Sequence, residues 1–309
     1  MTLRIGLLGI GKIARDQHIP ALRANPDFEL VACASRNATV DGVANYPDLA
    51  AMLAGSSDLD CVSICTPPNA HFDAALAALR AGKHVMLEKP PTATTRQISL
   101  LADEARHLNR TLFQTWHSRF AASVDAARNW LRTRELTGGR IIWKEDVHHW
   151  HPGQQWIFDA GGFGVFDPGI NALSVLTAVL PGEVHVEGAV LEFPENQQAP
   201  IAANVRMRTS AGVPIVAELD FRQKGEQSWD IELTTTTGRI KLSNGGATLA
   251  IDGKTVASDA GLAGEYPRLY QRFAKLCAAG RSEVDWRPFQ LVADAFLIGQ
   301  RRIVAPHHI

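Results

Sequence analysis

The sequence has little of what would tie it to a nucleic acid, a membrane or an oxidising compartment. Its 31 basic and 32 acidic side chains leave a formal net charge of -1, and no Lys/Arg-rich run breaks the balance. It offers no cationic face of the kind that a phosphate backbone or an anionic bilayer requires. Apolar runs are short: none approaches the roughly 18 residues of a membrane span. The opening Leu3-Arg4-Ile5-Gly6-Leu7-Leu8-Gly9 is interrupted by glycine and followed by Gly11 and Lys12, so it is expected as a strand entering a turn rather than a secretion signal. Only four cysteines occur, Cys33, Cys61, Cys65 and Cys277, with no C-x-x-C pair. They are expected as buried thiols of a reducing, cytoplasmic protein. Internal repeats and low-complexity tracts are missing too, and 46% hydrophobic with 20% charged residues excludes a disordered chain.

What is present is a change of texture partway along. A chain of 309 residues exceeds one ordinary core, so two domains are expected, divided as 1–118 and 119–309. In the first, strand-like runs at 4–8, 29–34, 61–65, 84–87 and 111–115 alternate with helical spacing at 14–24, 70–81 and 94–108. Strands spaced by helices imply right-handed crossovers and a doubly wound parallel sheet. In the second, a helix at 123–132 precedes strand-like segments at 140–147, 184–193, 204–209, 213–221, 229–235 and 239–242. The turn signals Thr209-Ser210-Ala211-Gly212 and Thr237-Gly238 predict hairpins, hence an α+β domain on a large, mostly antiparallel sheet. Helices at 266–278 and 288–301 close the chain.

Gly9-Ile10-Gly11-Lys12-Ile13-Ala14 fits G-x-G-x-x-A between a strand and a helix, the dinucleotide-binding turn of a Rossmann domain. The first glycine permits the turn, the second admits a pyrophosphate, and the small Ala14 lets the helix pack on the strand. Gly9, Ile10, Gly11 and Ile13 are therefore candidate cofactor residues. Where an NAD enzyme places a carboxylate for the ribose 2′-hydroxyl, the chain reads Ala34-Ser35-Arg36. A hydroxyl and a guanidinium suit a 2′-phosphate, so NADP is the expected cofactor, with NAD also tolerated.

Thr66-Pro67-Pro68-Asn69-Ala70-His71 follows the third strand and Glu88-Lys89-Pro90-Pro91 the next. With the glycine turn, these resemble the glucose-fructose oxidoreductase/inositol dehydrogenase family. Gly161-Gly162 and Asp167-Pro168-Gly169-Ile170-Asn171 look like that family's G-G and D-x-G-x-H segments, with asparagine in place of histidine. The run Trp143-Lys144-Glu145-Asp146, the run Trp150-His151-Pro152-Gly153-Gln154-Gln155-Trp156 and the segment around Asp167 are similar to its bacterial branch of L-arabinose/D-galactose 1-dehydrogenases, over nearly the whole chain.

The resemblance implies an NADP-preferring aldose 1-dehydrogenase that forms the aldonolactone, with Lys89 as general base. It implies Glu145, His151, Asp167, Asn171, His117 and Trp229 on the substrate side. Thr66, His71, Glu88, Lys89 and Trp150 would join Ser35 and Arg36 at the cofactor. Asn171 argues against the Asp/His relay of the polyol and inositol dehydrogenases, and the presence of Lys89 argues against a non-catalytic NADP-binding sensor. Asp167-Pro168 equally fits a helix start with Asp167 as cap, a role compatible with ligand contact. His18 is expected to pack or to bond backbone. His117, His148, His149 and His151 lack metal-ligand spacing, so no metal is expected. The partners expected are a small aldose and, through the exposed sheet face, a second copy of the chain.

Overall fold

The computed structural model describes residues 2–258 and 262–309. The chain divides into two compact units, 1–117 with 266–286 and 118–265 with 287–309. The first boundary falls one residue from the expected division. The expected 119–309 domain is interrupted, because 266–286 rejoin the first unit.

In the first unit the strands are β1 (Leu3–Leu8), β2 (Phe28–Ala34), β3 (Ala44–Tyr46), β4 (Cys61–Ile64), β5 (His84–Leu87) and β6 (Leu112–Gln114). Helices α1 (Ile19–Arg23), α2 (Leu49–Gly55), α3 (His71–Arg80) and α4 (Thr95–His107) lie between them. All neighbours in the order β3-β2-β1-β4-β5-β6 are parallel. Reversal of order beside β1 makes a crevice at the carboxyl ends of the strands. There the register aligns Leu8 with Ala34 and Ile64, and Ile64 with Leu87. The residues that follow, Gly9, Ser35, Cys65 and Glu88, therefore share one edge. Apolar side chains of the glycine turn, Ile10 and Ala14, seal it against Leu7, Ile19, Cys33 and Val40.

The second unit begins with α5 (Ala122–Leu131), β7 (Leu136–Lys144), the single turn α6 (Val147–Trp150) and α7 (Phe166–Val179). Next come β8 (Val184–Pro194), β9 (Ala202–Thr209), β10 (Pro214–Asp220), β11 (Ser228–Thr235), β12 (Gly238–Ser243), β13 (Thr248–Ile251) and β14 (Lys254–Ser258). The helix α8 (Leu262–Ala278) mostly belongs to the first unit, while α9 (Arg287–Ile298) and β15 (Gln300–Val304) return to the second. Nine strands form one sheet, antiparallel except for β10 on β7 and β15 on β8. Alternation decides its faces: Ile141 and Trp143, Ile215, Ala217 and Leu219, and Ile231 and Leu233 are buried on one side, with Arg140, Lys144 and Glu218 on the other. On the buried side lies α7, apolar nearly all round, as a helix shielded from solvent on most sides must be. Its Gly169 permits this approach, because a Cβ there would meet Leu219 Cδ1 at 2.7 Å.

Three expectations are corrected. The strand expected to reach residue 147 stops at Lys144, because Asp146 caps α6 by accepting from His148 N at 3.0 Å. The helix expected to run to residue 301 ends at Ile298, and 300–304 pair with β8 as an edge strand. Asp167 is not the cap of α7: the helix starts at Phe166 from Val165, and Asp167 lies in its first turn, where a carboxylate suits the helix dipole.

Candidate active site

The candidate residues fall into two sets, one in each unit. In the first unit, Gly9 holds φ at +89°, and a Cβ on it would meet Cys65 carbonyl atoms at 3.0 Å. Only glycine lets β1 turn this close to the end of β4. At Gly11 an added Cβ would meet nothing within 4 Å. An open space beside a glycine turn, between strand and helix, fits a dinucleotide pyrophosphate. Thr66 Oγ1, across the turn, has no hydrogen-bond partner among the described residues. Ser35 anchors its backbone N–H on Tyr46 O at 3.0 Å and its hydroxyl accepts from Asn37 N at 3.4 Å, while the next residue, Arg36, is exposed and makes no ion pair among the described residues.

His71, expected at the cofactor, is wholly buried. Its Nε2 lies 2.5 Å from Thr66 O and its Nδ1 3.0 Å from Pro90 O. Burial holds its pKa below the ordinary value. The ring ties the loop after β4 to the loop after β5 instead of presenting a nitrogen to a ligand. Glu88 also differs from expectation, since its carboxylate turns inward. One oxygen lies 3.1 Å from His18 Nε2 and accepts from Tyr266 Oη at 3.1 Å, and the other accepts from the Lys89 backbone N–H at 2.8 Å. Any contact of Glu88 with a cofactor therefore falls to its backbone. Lys89 is half-buried at the carboxyl end of β5, where open α/β sheets place their ligands. His117 closes the set, its ring stacked on Tyr266 at 5.5 Å.

In the second unit Glu145, directly after β7, is the hub. Its backbone N–H bonds Asp220 O at 2.9 Å, which fixes the turn out of the sheet. Its carboxylate meets His151 Nε2 at 3.0 Å and accepts from Trp229 Nε1 at 2.9 Å. Trp229 sits opposite Trp143 across the β7–β11 register. Trp150, expected at the cofactor, belongs to this unit and packs edge-on against Trp229 at 4.9 Å. Asp167 and Asn171, four positions apart on α7, are both buried and address one side of the helix. Asn171 Oδ1 and Trp143 Nε1 are buried without a hydrogen-bond partner among the described residues, and such groups cost stability unless a ligand or water completes them. An ionisable carboxylate between two donors, flat indole faces and unpaired amide and indole atoms suit a polyhydroxylated ring.

Sequence reasoning did not find Tyr266, Tyr270 or the role of His18. Their partners lie 178, 207 and 70 positions away along the chain, respectively, and no local pattern marks such pairs. Trp143 stands in the run Trp143-Lys144-Glu145-Asp146, but nothing in the sequence marks its indole N–H as unpaired.

The β3-β2-β1-β4-β5-β6 order and the open glycine turn define an oxidoreductase-type dinucleotide-binding unit joined to a sheet domain. The family model for the oxidoreductase family with an NAD-binding Rossmann fold matches residues 3–115. A galactose 1-dehydrogenase of Pseudomonas fluorescens is 44% identical over 304 residues, 97% of this chain and 96% of that one. A crystal structure of a D-galactose-1-dehydrogenase from Rhizobium etli superposes with a TM-score of 0.94 at 50% identity, covering 99% and 98% of the two chains. A 3-ketoreductase from Actinomadura kijaniata, solved with NADP, shares the fold at a TM-score of 0.86 and 21% identity. The chain belongs to the glucose-fructose oxidoreductase/inositol dehydrogenase family of oxidoreductases.

Proposed function

We propose that the protein is an NADP-preferring aldose 1-dehydrogenase that oxidises the anomeric carbon of D-galactose and L-arabinose to the aldonolactone and also accepts NAD. The observation that carries this reading is Glu145 held between His151 and Trp229, in a unit that also buries the unpaired Asn171 and Trp143 atoms. Likeness to two galactose 1-dehydrogenases along nearly the whole chain supports it.

A dinucleotide held by its pyrophosphate at the glycine turn would supply its nicotinamide ring as the hydride acceptor. Gly9, Gly11 and Thr66 would hold the pyrophosphate end, with Ser35 and Arg36 at the ribose. Lys89 Nζ takes the proton of the C1 hydroxyl as the C1 carbonyl forms. Glu145, His151, Asp167 and Asn171 hold the ring hydroxyls, with His117, Trp150 and Trp229 walling the sugar. Each buried partner left unpaired by a wrong epimer costs binding, which gives the site its selectivity. The protein acts in the cytoplasm, as a homodimer through the charged sheet face of Arg140, Lys144 and Glu218. Nicotinamide reduction followed by absorbance over a panel of aldoses and polyols tests the activity, and turnover of polyols but no aldose would overturn it. Light scattering tests the dimer.

A further inference from the structure

Among the groups that the proposed chemistry leaves unused, one cluster stands out for its cost. His18, Tyr266 and Tyr270 are wholly buried and Glu88 nearly so, yet they form an ionisable network. Tyr270 Oη donates to Ser63 Oγ at 3.2 Å and lies 2.7 Å from His18 Nδ1. Nε2 points at the Glu88 carboxylate at 3.1 Å, and a carboxylate there accepts from the ring N–H. The charges around it agree: burial opposes a charged ring, but Cys65, Tyr270 and Glu88 outweigh it and raise the His18 pKa well above its usual value. Burial likewise opposes the Glu88 charge, and His18, His117 and Lys89 together bring its pKa down to about 2.

A buried ion pair is weak as a stabiliser, because desolvation roughly cancels the attraction and apolar replacements often do as well. This one is better explained by what it holds. Glu88 Oε2 accepts the backbone N–H of Lys89 at 2.8 Å, and Tyr266 couples the same carboxylate to the ring of His117. His18 sits at the end of the π-helical stretch Ala14–His18, directly after the glycine turn. That geometry is rare and recurs at functional sites.

We propose that His18 and Tyr266 are positioning residues: acting through Glu88, they fix the backbone of Lys89 and the ring of His117. Neither reaches substrate or cofactor, since both are wholly buried. The proposal rests on Lys89 being the proton acceptor.

The experiment is a double-mutant cycle on the full-length protein, with His18→Gln, Glu88→Gln and the pair, read as kcat and KM for galactose and as cofactor affinity by fluorescence. A misplaced lysine lowers kcat about 10- to 100-fold, while the sugar KM and cofactor affinity move by less than about 2-fold. Because both residues act along one route, the double variant loses no more than Glu88→Gln alone. Additive losses, or His18→Gln with wild-type kcat, overturn the proposal. If Glu88→Gln does not fold, the cycle of His18→Gln with Tyr266→Phe, which keeps the stacked ring, decides in the same way. An active Lys89→Met would refute the catalytic reading of Lys89; an inactive Lys89→Met beside a fully active His18→Gln would refute only the positioning role.

Discussion

Trp229 donates its indole N–H to Glu145 Oε2 at 2.9 Å, while His151 occupies the other oxygen at 3.0 Å. The pairing fixes the orientation of a buried carboxylate that the strand register alone would leave free to rotate. Trp229→Phe keeps the flat ring and removes this one donor. The expected result is a fall of about 10-fold in kcat/KM for galactose, the equivalent of one lost hydrogen bond, carried mainly by the sugar KM. Steady-state kinetics at saturating cofactor check it, and an unchanged sugar KM would detach Trp229 from the substrate.

Lys89 is the proposed proton acceptor, and methionine matches its length without accepting a proton. Lys89→Met is expected to lose about 10²–10⁴-fold in turnover. Cofactor affinity should stay near wild type, since the glycine turn is untouched. Near-wild-type turnover would remove Lys89 from the mechanism.

Much of this was legible beforehand, and for physical reasons. Strands buried on both faces and separated by helices announce a parallel sheet by composition, and a glycine turn is fixed by local sterics, so the first unit and the place of Lys89 followed from short windows. What escaped depended on distant partners. The three-residue β3 is largely exposed and carries no apolar signature. β15 looks like the tail of a helix until β8 is there to pair with it. His71 and Glu88 were placed at the cofactor by motif, but His18, Tyr266 and the loop carbonyls capture their side chains. A motif gives a residue's position, and its partners decide which way the side chain turns.

The substrate reading makes a graded prediction. D-Galactose and L-arabinose share the ring configuration from C1 to C4, whereas D-glucose is the C4 epimer. A buried acceptor that pairs with the axial hydroxyl is left unpaired by glucose, at roughly 1–3 kcal/mol. The specificity constant for glucose should fall about 10- to 100-fold below that for galactose. Equal constants would contradict a site built around that hydroxyl.

The buried pair also sets a pH dependence of stability. Glu88, lowered from 4.5 to about 2, contributes stability that is complete above pH 4.5 and is lost as the pH falls toward 2. His18, raised above 6.5, contributes stability that is complete below pH 6.5 and is lost as the pH rises through its folded value. Both are therefore present in full between pH 4.5 and 6.5. On acidification from 4.5, the thermal midpoint of the wild type should fall more steeply than that of Glu88→Gln, which has no proton to bind. Equal slopes in the two proteins would show that Glu88 is not paired as described.

The proposed preference for NADP rests on Ser35 and Arg36, directly after β2. A 2′-phosphate carries nearly two negative charges, and a guanidinium meets it with two parallel hydrogen bonds while a serine hydroxyl donates a third. Arg36 is exposed and makes no ion pair among the described residues, so no existing contact must break before it binds phosphate. No carboxylate occupies the position of Ser35, so the 2′-hydroxyl of NAD is neither held nor repelled, and NAD is expected to work less well. Ser35→Asp combined with Arg36→Ala reverses these terms: the carboxylate accepts from a 2′-hydroxyl, repels a phosphate and has no cation beside it. The preference should invert, chiefly through the Michaelis constant for the cofactor, because the adenosine end binds equally in ground and transition states. Specificity constants for NADP and NAD, measured on the wild type and the double variant at saturating galactose, check this. If their ratio did not change, the phosphate would have to be held by residues other than these two.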